Sequence, residues 1–197
     1  MGTPVVTAVV TSYKREYAIV KRAIDSIVGQ TYNNIEYNNV EILLIDDNRG
    51  EEGKTYSEAL MALEKISPII KIHHTKDRHG SQVARNLGIS LAKGRYIAFL
   101  DDDDEWLPEK LAEQVIYMDS HPETGLCYCN GYIVYEGSDK NKRIPRFDGN
   151  FTSDTDYRGL LREDVIGSTS QALIRREVFD KVGLFDEALP ASQDYEM

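Results

Sequence analysis

The sequence predicts an α/β fold with a central, mostly parallel sheet flanked by helices. Two observations carry that expectation. Short apolar runs alternate with stretches of helical period, four times over residues 1–120. The strand-like runs are nearly continuous in Val, Ile and Leu, as strands covered on both faces are.

Each element has its own signal. Val5 to Val10 is a β-branched run and reads as a buried strand. Residues 16–29 switch to helical spacing, with Tyr17, Val20, Ile24, Ile27 and Val28 on one face. Val40 to Ile45 is a second strand. Residues 54–66 form a second helix, with Tyr56, Ala59, Leu60, Leu63 and Ile66 as its apolar stripe. Ile69 to His73 is a short third strand. Residues 81–92 form a third helix facing inward through Val83, Leu87 and Leu91, and Gly94 stands where a left-handed cap is expected. Tyr96 to Leu100 is a fourth strand. Pro108 opens a fourth helix with Leu111, Val115 and Met118 inward. Beyond it, Leu126 to Tyr135 reads as a long strand and residues 137–165 as a polar loop or hairpin excursion. Ser170 to Ile174 reads as a strand, and Arg176 to Val182 as a short helix. There is no internal repeat and no composition break, so 1–197 is expected to be a single domain.

Composition narrows the function. The chain has 197 residues, with 23 Lys+Arg against 33 Asp+Glu, a net charge of −10. A chain of this length can hide roughly 70% of its unfolded surface without disulfide or metal staples. The acidic balance excludes a general nucleic-acid binder, which needs a basic surface. No apolar run reaches the length of a membrane span, and Met1 to Pro4 has no basic, apolar leader. The two cysteines, Cys127 and Cys129, share one strand face and read as small buried apolar residues, which fits a reducing, cytoplasmic setting. The expected location is the cytoplasm, with peripheral association at the inner face of the membrane left open.

In open α/β sheets, ligands bind outside the carboxyl ends of the strands. The residues just after each strand are therefore the informative ones. They are Thr11 to Arg15, Asp46-Asp47-Asn48, the Thr75–Gly80 loop leading to Arg85, and the run Asp101-Asp102-Asp103-Asp104-Glu105. Two carboxylates about 4 Å apart repel by roughly 4 kcal/mol at an effective dielectric of 20. Several at the end of a buried strand need a cation or raised pKa values. Mg²⁺ or Mn²⁺ suits such oxygen ligands and commonly joins one or two carboxylates to substrate phosphates. An EF-hand starting at Asp101 fails, because its Gly and Glu positions hold Trp106 and Ala112. The dinucleotide fingerprint and the P-loop are absent. A nucleotidyltransferase would want a Gly-rich first loop, and Thr11 to Arg15 has no glycine.

These residues resemble the family 2 glycosyltransferases, which have the GT-A fold. The matching pieces are Val9-Val10-Thr11-Ser12-Tyr13, Ser26-Ile27-Val28-Gly29-Gln30-Thr31-Tyr32 and Ile45-Asp46-Asp47-Asn48. They continue with Ala84-Arg85-Asn86-Leu87-Gly88-Ile89, Gly94 through Asp104, Val182 through Glu187, and Gln193-Asp194-Tyr195-Glu196. The order is the family's, over nearly the whole chain. The resemblance implies a single GT-A domain, with a nucleotide-sugar half at 1–105 and an acceptor-side half at 106–197. It implies an inverting, metal-dependent transfer from a nucleotide-diphosphate sugar, a UDP-sugar by family habit, to a saccharide or lipid-linked acceptor hydroxyl. The biological setting it implies is bacterial surface polysaccharide synthesis.

The roles it implies are residue by residue. Thr11 and Tyr13 line the nucleotide pocket, and Asp47 accepts a hydrogen bond from the uracil ring. Arg85 lies near the base or the diphosphate. Asp101 and Asp102 sit nearest the ribose, and Asp103 is the Mn²⁺ or Mg²⁺ ligand of the DxD element. Four consecutive Asp residues leave that register open by one, with Asp104 able to share the work. Asp194 matches the catalytic base, although the family's usual Glu-Asp is Gln193-Asp194 here. Family members normally continue well past this base, whereas the chain stops at Met197. An incomplete acceptor side is therefore expected, and the alternative is a truncated nucleotide-sugar-binding module with little or no transfer.

Overall fold

A computed structural model describes residues 4–32, 39–76, 80–135, 143–146 and 166–189. Six strands form the main sheet in the order β3-β2-β1-β4-β8-β5. These are β1 (Val6–Ser12), β2 (Val40–Asp46), β3 (Ile70–His74), β4 (Tyr96–Asp101), β5 (Leu126–Tyr128) and β8 (Ala172–Arg175). β1 pairs in parallel with β2 and β4, and β2 with β3; β8 runs antiparallel to both β4 and β5. The sheet is thus mostly parallel, as the alternation predicts. A two-stranded ribbon joins β6 (Tyr132–Ile133) to β7 (Ile144–Pro145) in antiparallel register.

The strand period of two sorts side chains into two cores. Val6, Ala8 and Val10 of β1 face one side, where they meet Val20, Ile24 and Ile27 of α1 (Tyr17–Val28). Leu111, Val115 and Met118 of α4 (Lys110–Ser120) complete that layer. Val9, Leu43, Ile97 and Phe99 face the other side, against Ala84 and Ile89 of α3 (Ser81–Leu91) and Phe179 of α5 (Arg176–Val182). Phe99 meets Phe179 and Phe185 edge-on, with ring centroids 6.4 and 5.7 Å away. Aromatic pairs in this geometry add about 0.5–1.5 kcal/mol each beyond their buried area.

The structure corrects several local readings. The second helix, α2, spans Gly50–Leu60 and then tightens into a 3₁₀ turn over Met61–Lys65, leaving Ile66 exposed. The face of α3 that meets the sheet is Ala84, Arg85, Gly88 and Ile89, while Val83, Leu87 and Leu91 are only half-buried. The reason is close approach: a Cβ on Gly88 would stand 2.3 Å from a Val9 methyl. Pro108 lies in the turn before α4, not in its first helical turn. The long strand expected over Leu126–Tyr135 breaks after Tyr128, where Cys129 to Gly131 turn away before β6. Ser170 belongs to a 3₁₀ turn, Thr169–Gln171, that precedes β8. Of the expected excursion at 137–165, only residues 143–146 are described, and they supply β7.

Gly94 also has a different reason from the one expected. It is no left-handed cap; α3 ends at Leu91 with an extended Ala92. An added Cβ at residue 94 would sit 2.5 Å from the Thr7 amide nitrogen and 2.7 Å from the Val6 carbonyl carbon. The Gly94 amide donates to Thr7 Oγ1 at 2.8 Å. The chain entering β4 therefore lies directly on β1, and backbone cannot move aside as a side-chain tip can. Gly94→Ala is expected to destabilise by about 2–4 kcal/mol through overpacking and loss of that bond. Urea unfolding checks this as a lower midpoint at unchanged slope.

Lys110, at the start of α4, is the second local anomaly. Its ammonium is buried, 4.3 Å from the centroid of the Trp106 ring and 2.7 Å from Gln114 Oε1. Burial lowers its pKa to about 8, against 10.5 for a free lysine. The neighbouring Cys127 thiol is pushed up to about 11, again chiefly by burial, so it offers no counter-charge near neutrality. The folded pKa lies below the unfolded one, so the unfolded chain binds more protons between pH 8 and 10.5 and stability rises across that window. Below pH 8 the cost of the buried charge is fully present. Lys110→Met is expected to stabilise the protein by about 1–2 kcal/mol at pH 7, as apolar replacement of a buried charge often does. The gain should shrink as pH rises through the window, which thermal melts at a series of pH values measure. A variant less stable than the parent at pH 7 contradicts this account.

Candidate active site at the carboxyl edge of the sheet

The carboxyl ends of β1, β2, β3 and β4 lie on one edge of the sheet because these strands are parallel. The strand order reverses direction between β1 and β4: the chain builds outward to β3 on one side and returns to β4 on the other. Such a switch point opens a crevice, and the two loops that flank it carry Lys14 and Arg15 on one side and Asp101 to Glu105 on the other.

The acidic turn follows β4. Asp101 is the last residue of the strand, and the Asp104 amide donates back to the Asp101 carbonyl at 3.1 Å, closing the turn. The four Asp residues then diverge. The Asp101 carboxylate faces Arg85, whose Nη2 lies 3.2 Å from Oδ1, and it accepts from Ser168 Oγ at 3.3 Å. The Asp102 side chain is turned inward and only 7% exposed, with Oδ1 2.9 Å from Arg15 Nε. The Asp103 side chain is 50% exposed, with Oδ2 2.9 Å from Arg15 Nη2. Burial pushes the Asp102 carboxyl above the usual range, against the pull of Ser12 and Arg15. Burial also raises Asp104, opposed by Ser170.

The remaining expected residues surround this turn. Thr11 sits at the end of β1, in register with Asp101 on one side and Ile45 on the other. Tyr13 is exposed, and its ring lies 5.5 Å from the Lys14 ammonium. Lys14 itself has φ of 48°, a left-handed turn pinned by its amide donating to Asn48 Oδ1 at 2.7 Å. Asp47 is buried at the end of β2. Its carboxylate accepts from the Thr75 hydroxyl and, at 2.8 Å, from the Gly80 amide that leads into α3. A carboxylate beside a helix N-terminus is favourable, and here it fixes where α3 begins. Arg85, one turn along α3, is 4% exposed and also donates to Thr169 Oγ1 at 3.1 Å. The structure thus brings Thr11, Tyr13, Asp47, Arg85, Asp101, Asp102 and Asp103 to one edge. Asp194 lies outside the described residues.

Several residues that matter here had no role assigned from the sequence. Arg15 bridges two of the four Asp residues, and its position right after a strand was its only signal. Arg22 on α1 pairs with Glu105, its Nε 2.9 Å from Oε1, and donates to the Asp103 carbonyl at 3.1 Å. Ser170 Oγ accepts from the Asp101 amide at 3.0 Å, and Trp106 Nε1 donates to the Ser170 carbonyl at 2.8 Å. Asn86 ties α3 to the segment after α5, accepting from the Phe185 amide at 3.0 Å and donating to its carbonyl at 2.9 Å. These contacts join residues more than 60 positions apart, which no local pattern reveals.

The donor set is all oxygen and suits a hard divalent ion. Among the described residues no three His, Cys, Asp or Glu side chains converge closely enough to hold a metal ion. One or two carboxylates do suit an ion that brings further oxygen ligands with it, such as diphosphate and water. The half-exposed Asp101 and Asp103 are the groups available for that. Among the described residues, no helix is long and apolar enough to cross a membrane.

Comparison with known proteins agrees with the fold and with the resemblance. Among solved structures, TarS 1–349 of Staphylococcus aureus superposes with a TM-score of 0.70 at 18% identity, covering 96% of this chain and 52% of that one. A related structure of TarS is a complex with UDP. The mannosyltransferase PcManGT of Pyrobaculum calidifontis, solved with GDP-Man and Mn²⁺, matches with a TM-score of 0.67 at 19% identity, covering 98% of this chain and 50% of that one. At such identities the likeness is one of fold, and the fold is that of GT-A glycosyltransferases. An uncharacterized glycosyltransferase of Rickettsia bellii is 31% identical over 180 residues, 90% of this chain and 24% of that protein. The putative colanic acid biosynthesis glycosyl transferase WcaA of Escherichia coli K12 is 28% identical over 202 residues, 100% of this chain and 65% of that protein. The chain therefore spans about a quarter of the length of the first of these relatives and just under two thirds of the second. The family model for glycosyl transferase family 2 matches residues 7–183, nearly the whole sheet with its acidic turn, and the chain belongs to that family.

Proposed function

We propose that this chain carries the donor site and catalytic base of an inverting glycosyltransferase that uses a nucleotide-diphosphate sugar, with UDP as the nucleotide. The observation that carries the reading is the accessible pair Asp101 and Asp103 at the switch point, held by Arg85 and Arg15 beside the buried Asp47. In this reading residues 1–105 bind the nucleotide and 106–197 face the acceptor. Tyr13 and Thr11 line the base pocket. Asp47 meets the uracil ring, which requires the Thr75 and Gly80 contacts on its carboxylate to share or yield. Arg85 steadies Asp101, and Asp101 and Asp102 lie nearest the ribose. The name of the E. coli relative, a putative colanic acid biosynthesis glycosyl transferase, supports a place in polysaccharide synthesis; a bacterial surface setting, a cytoplasmic active edge and a saccharide or lipid-linked acceptor complete the proposal.

Mn²⁺ or Mg²⁺ held by Asp103 would supply charge neutralisation on the departing nucleoside diphosphate. The protein's own step is base catalysis. The Asp194 carboxylate takes the proton of the acceptor hydroxyl as that oxygen bonds to the anomeric carbon. The bond from the anomeric carbon to the diphosphate oxygen breaks on the opposite face, and the configuration inverts. Such a base contributes typically 10²–10⁴-fold.

Asp194→Asn is expected to lower transfer by about 10²-fold or more while leaving UDP-sugar affinity within about twofold. A radiolabelled-sugar transfer assay beside a binding titration separates the two quantities. Near-full turnover in the variant removes Asp194 from the role. UDP binding is expected to weaken at least about tenfold when Mn²⁺ is replaced by EDTA in calorimetry, an effect of about 1.4 kcal/mol. Equal affinity in the two buffers contradicts the DxD reading.

The alternative reading is donor binding without transfer. Donor hydrolysis measured beside binding distinguishes it, because a pure binding module gives saturable UDP-sugar binding with no released sugar.

A further inference from the structure

Of the guanidinium groups that neutralise the acidic turn, Arg85 and Arg15 meet the Asp101 to Asp103 carboxylates, and they are held very differently. Arg85 is 4% exposed, fixed on α3 between Asp101 and the Thr169 hydroxyl, with its guanidinium 5.6 Å from the centroid of the Phe185 ring. It has packing on all sides and behaves as a permanent part of the scaffold. Arg15 comes from the loop after β1, and its side chain is 38% exposed. Its partners are Asp102 Oδ1 and Asp103 Oδ2, each at 2.9 Å. One planar group thus ties an inward carboxylate to an outward one, from the solvent side of the crevice.

We propose that Arg15 is a resident counter-cation that exchanges the Asp102 and Asp103 carboxylates for a donor diphosphate when a divalent ion arrives. The inference rests on the nucleotide-sugar reading of the same site and adds a residue and a sequence of partners to it.

The argument is electrostatic. The two carboxylates lie at the end of a buried strand, and with both cations removed their repulsion would open the turn. Among the described residues no three metal-binding side chains converge, and it is Arg15 that supplies positive charge to Asp102 and Asp103. The guanidinium, with its fork of N–H donors, satisfies the need in the absence of ligand. It also holds Asp103 Oδ2, and an incoming divalent ion on that carboxylate would compete with the guanidinium for its charge and be repelled by it. Metal alone on Asp103 would therefore leave Arg15 with its Asp102 contact but without its second carboxylate. Metal with a diphosphate would not, because phosphate oxygens accept the same bidentate donors as a carboxylate. The exchange makes metal and nucleotide binding cooperative, and linkage requires that cooperativity to be reciprocal.

The test uses the whole chain and reads binding, not turnover. Free Mn²⁺ is followed by electron paramagnetic resonance during titration, with and without UDP, for the parent, Arg15→Gln and Arg15→Lys. The expected result is that Arg15→Gln tightens Mn²⁺ binding in the absence of UDP about five- to tenfold, the scale of a half-exposed, two-toothed ion pair. The same variant should lose most of the gain in Mn²⁺ affinity that UDP gives the parent. Arg15→Lys, which keeps the charge without the fork, should fall between. Unchanged or weaker Mn²⁺ binding in a folded Arg15→Gln overturns the exchange while leaving the DxD reading intact. If Arg15→Gln does not fold by circular dichroism, Arg15→Lys decides, and parent-like Mn²⁺ affinity with parent-like UDP coupling overturns the exchange. If the parent binds no Mn²⁺ even with UDP, the donor-site reading fails and the inference falls with it.

Discussion

The constraint that organises this fold is the mutual repulsion of carboxylates at the end of β4. A strand as apolar as Tyr96 to Leu100 delivers Asp101 to Asp104 at the lip of the core, where charge is expensive. The surroundings answer with cations and donors drawn from four different segments. Arg15 comes from the loop after β1, Arg22 from α1, Arg85 from α3, and Ser168 and Ser170 from the turn before β8. Remove that ring of partners and the strand end has no stable conformation. Include it and the carboxylates are held apart in distinct directions, which is what a ligand site requires.

The same demand explains polar residues that look misplaced elsewhere. Gln30, buried after α1, donates to the carbonyls of Leu107 and Ser26 at 2.7 and 3.1 Å and accepts from the Leu111 amide at 2.9 Å. It clamps the exit of the acidic turn to α1 and satisfies an otherwise orphaned amide in the first turn of α4. Trp106 closes the other side, its amide donating to Ser26 Oγ at 3.1 Å and its indole to the Ser170 carbonyl. Behind it, Gln114 donates to the Gln171 carbonyl at 2.9 Å, and the Gln171 side chain accepts from the Ser168 amide at 3.0 Å. The acidic turn is thus set between α1 and the Thr169–Gln171 turn by side-chain bonds that all have their partners. Fully satisfied buried networks of this kind rigidify what they enclose.

The sheet was legible in the sequence because its signal is local. Val6 to Ser12 and Tyr96 to Asp101 need no tertiary knowledge to read as strands, and the order of elements follows from their alternation. What escaped was set by close approach or by long-range bonding. Gly94 carries the residue type of a helix cap but is small because β1 lies against it. Leu87 and Leu91 of the expected apolar stripe do pack against the core, half-buried, yet Gly88 lets α3 sit so close that Ala84 and Ile89 are the ones covered. Cys129 to Gly131 interrupt the run: Asn130-Gly131 suit a turn better than a strand, and the Gln171 side chain donates to the Cys129 carbonyl at 2.7 Å. At the site, the acidic run announced itself, while Arg15 did not. A single arginine has no period and no motif of its own, and only the meeting of two strand ends gives it meaning.

That meeting is a consequence of topology. β1 and β4 are neighbours in the sheet but are separated in the chain by β2, β3 and three helices. Any loop after β1 must therefore face any loop after β4 across the switch point, whatever the residues. Placing the flexible cation on one side and the acidic turn on the other makes the crevice self-neutralising when empty. It also makes its two walls separable: an anion with its own counter-cation can enter by dividing the ion pair between them. A net charge of −10 is then no obstacle to an anionic substrate, because the local field at the entrance is set by Arg15 and Arg85 against Asp101 to Asp103. The surplus acid of the chain acts at a distance that salt screens. The few charges at the switch point act at contact, and they decide what can bind.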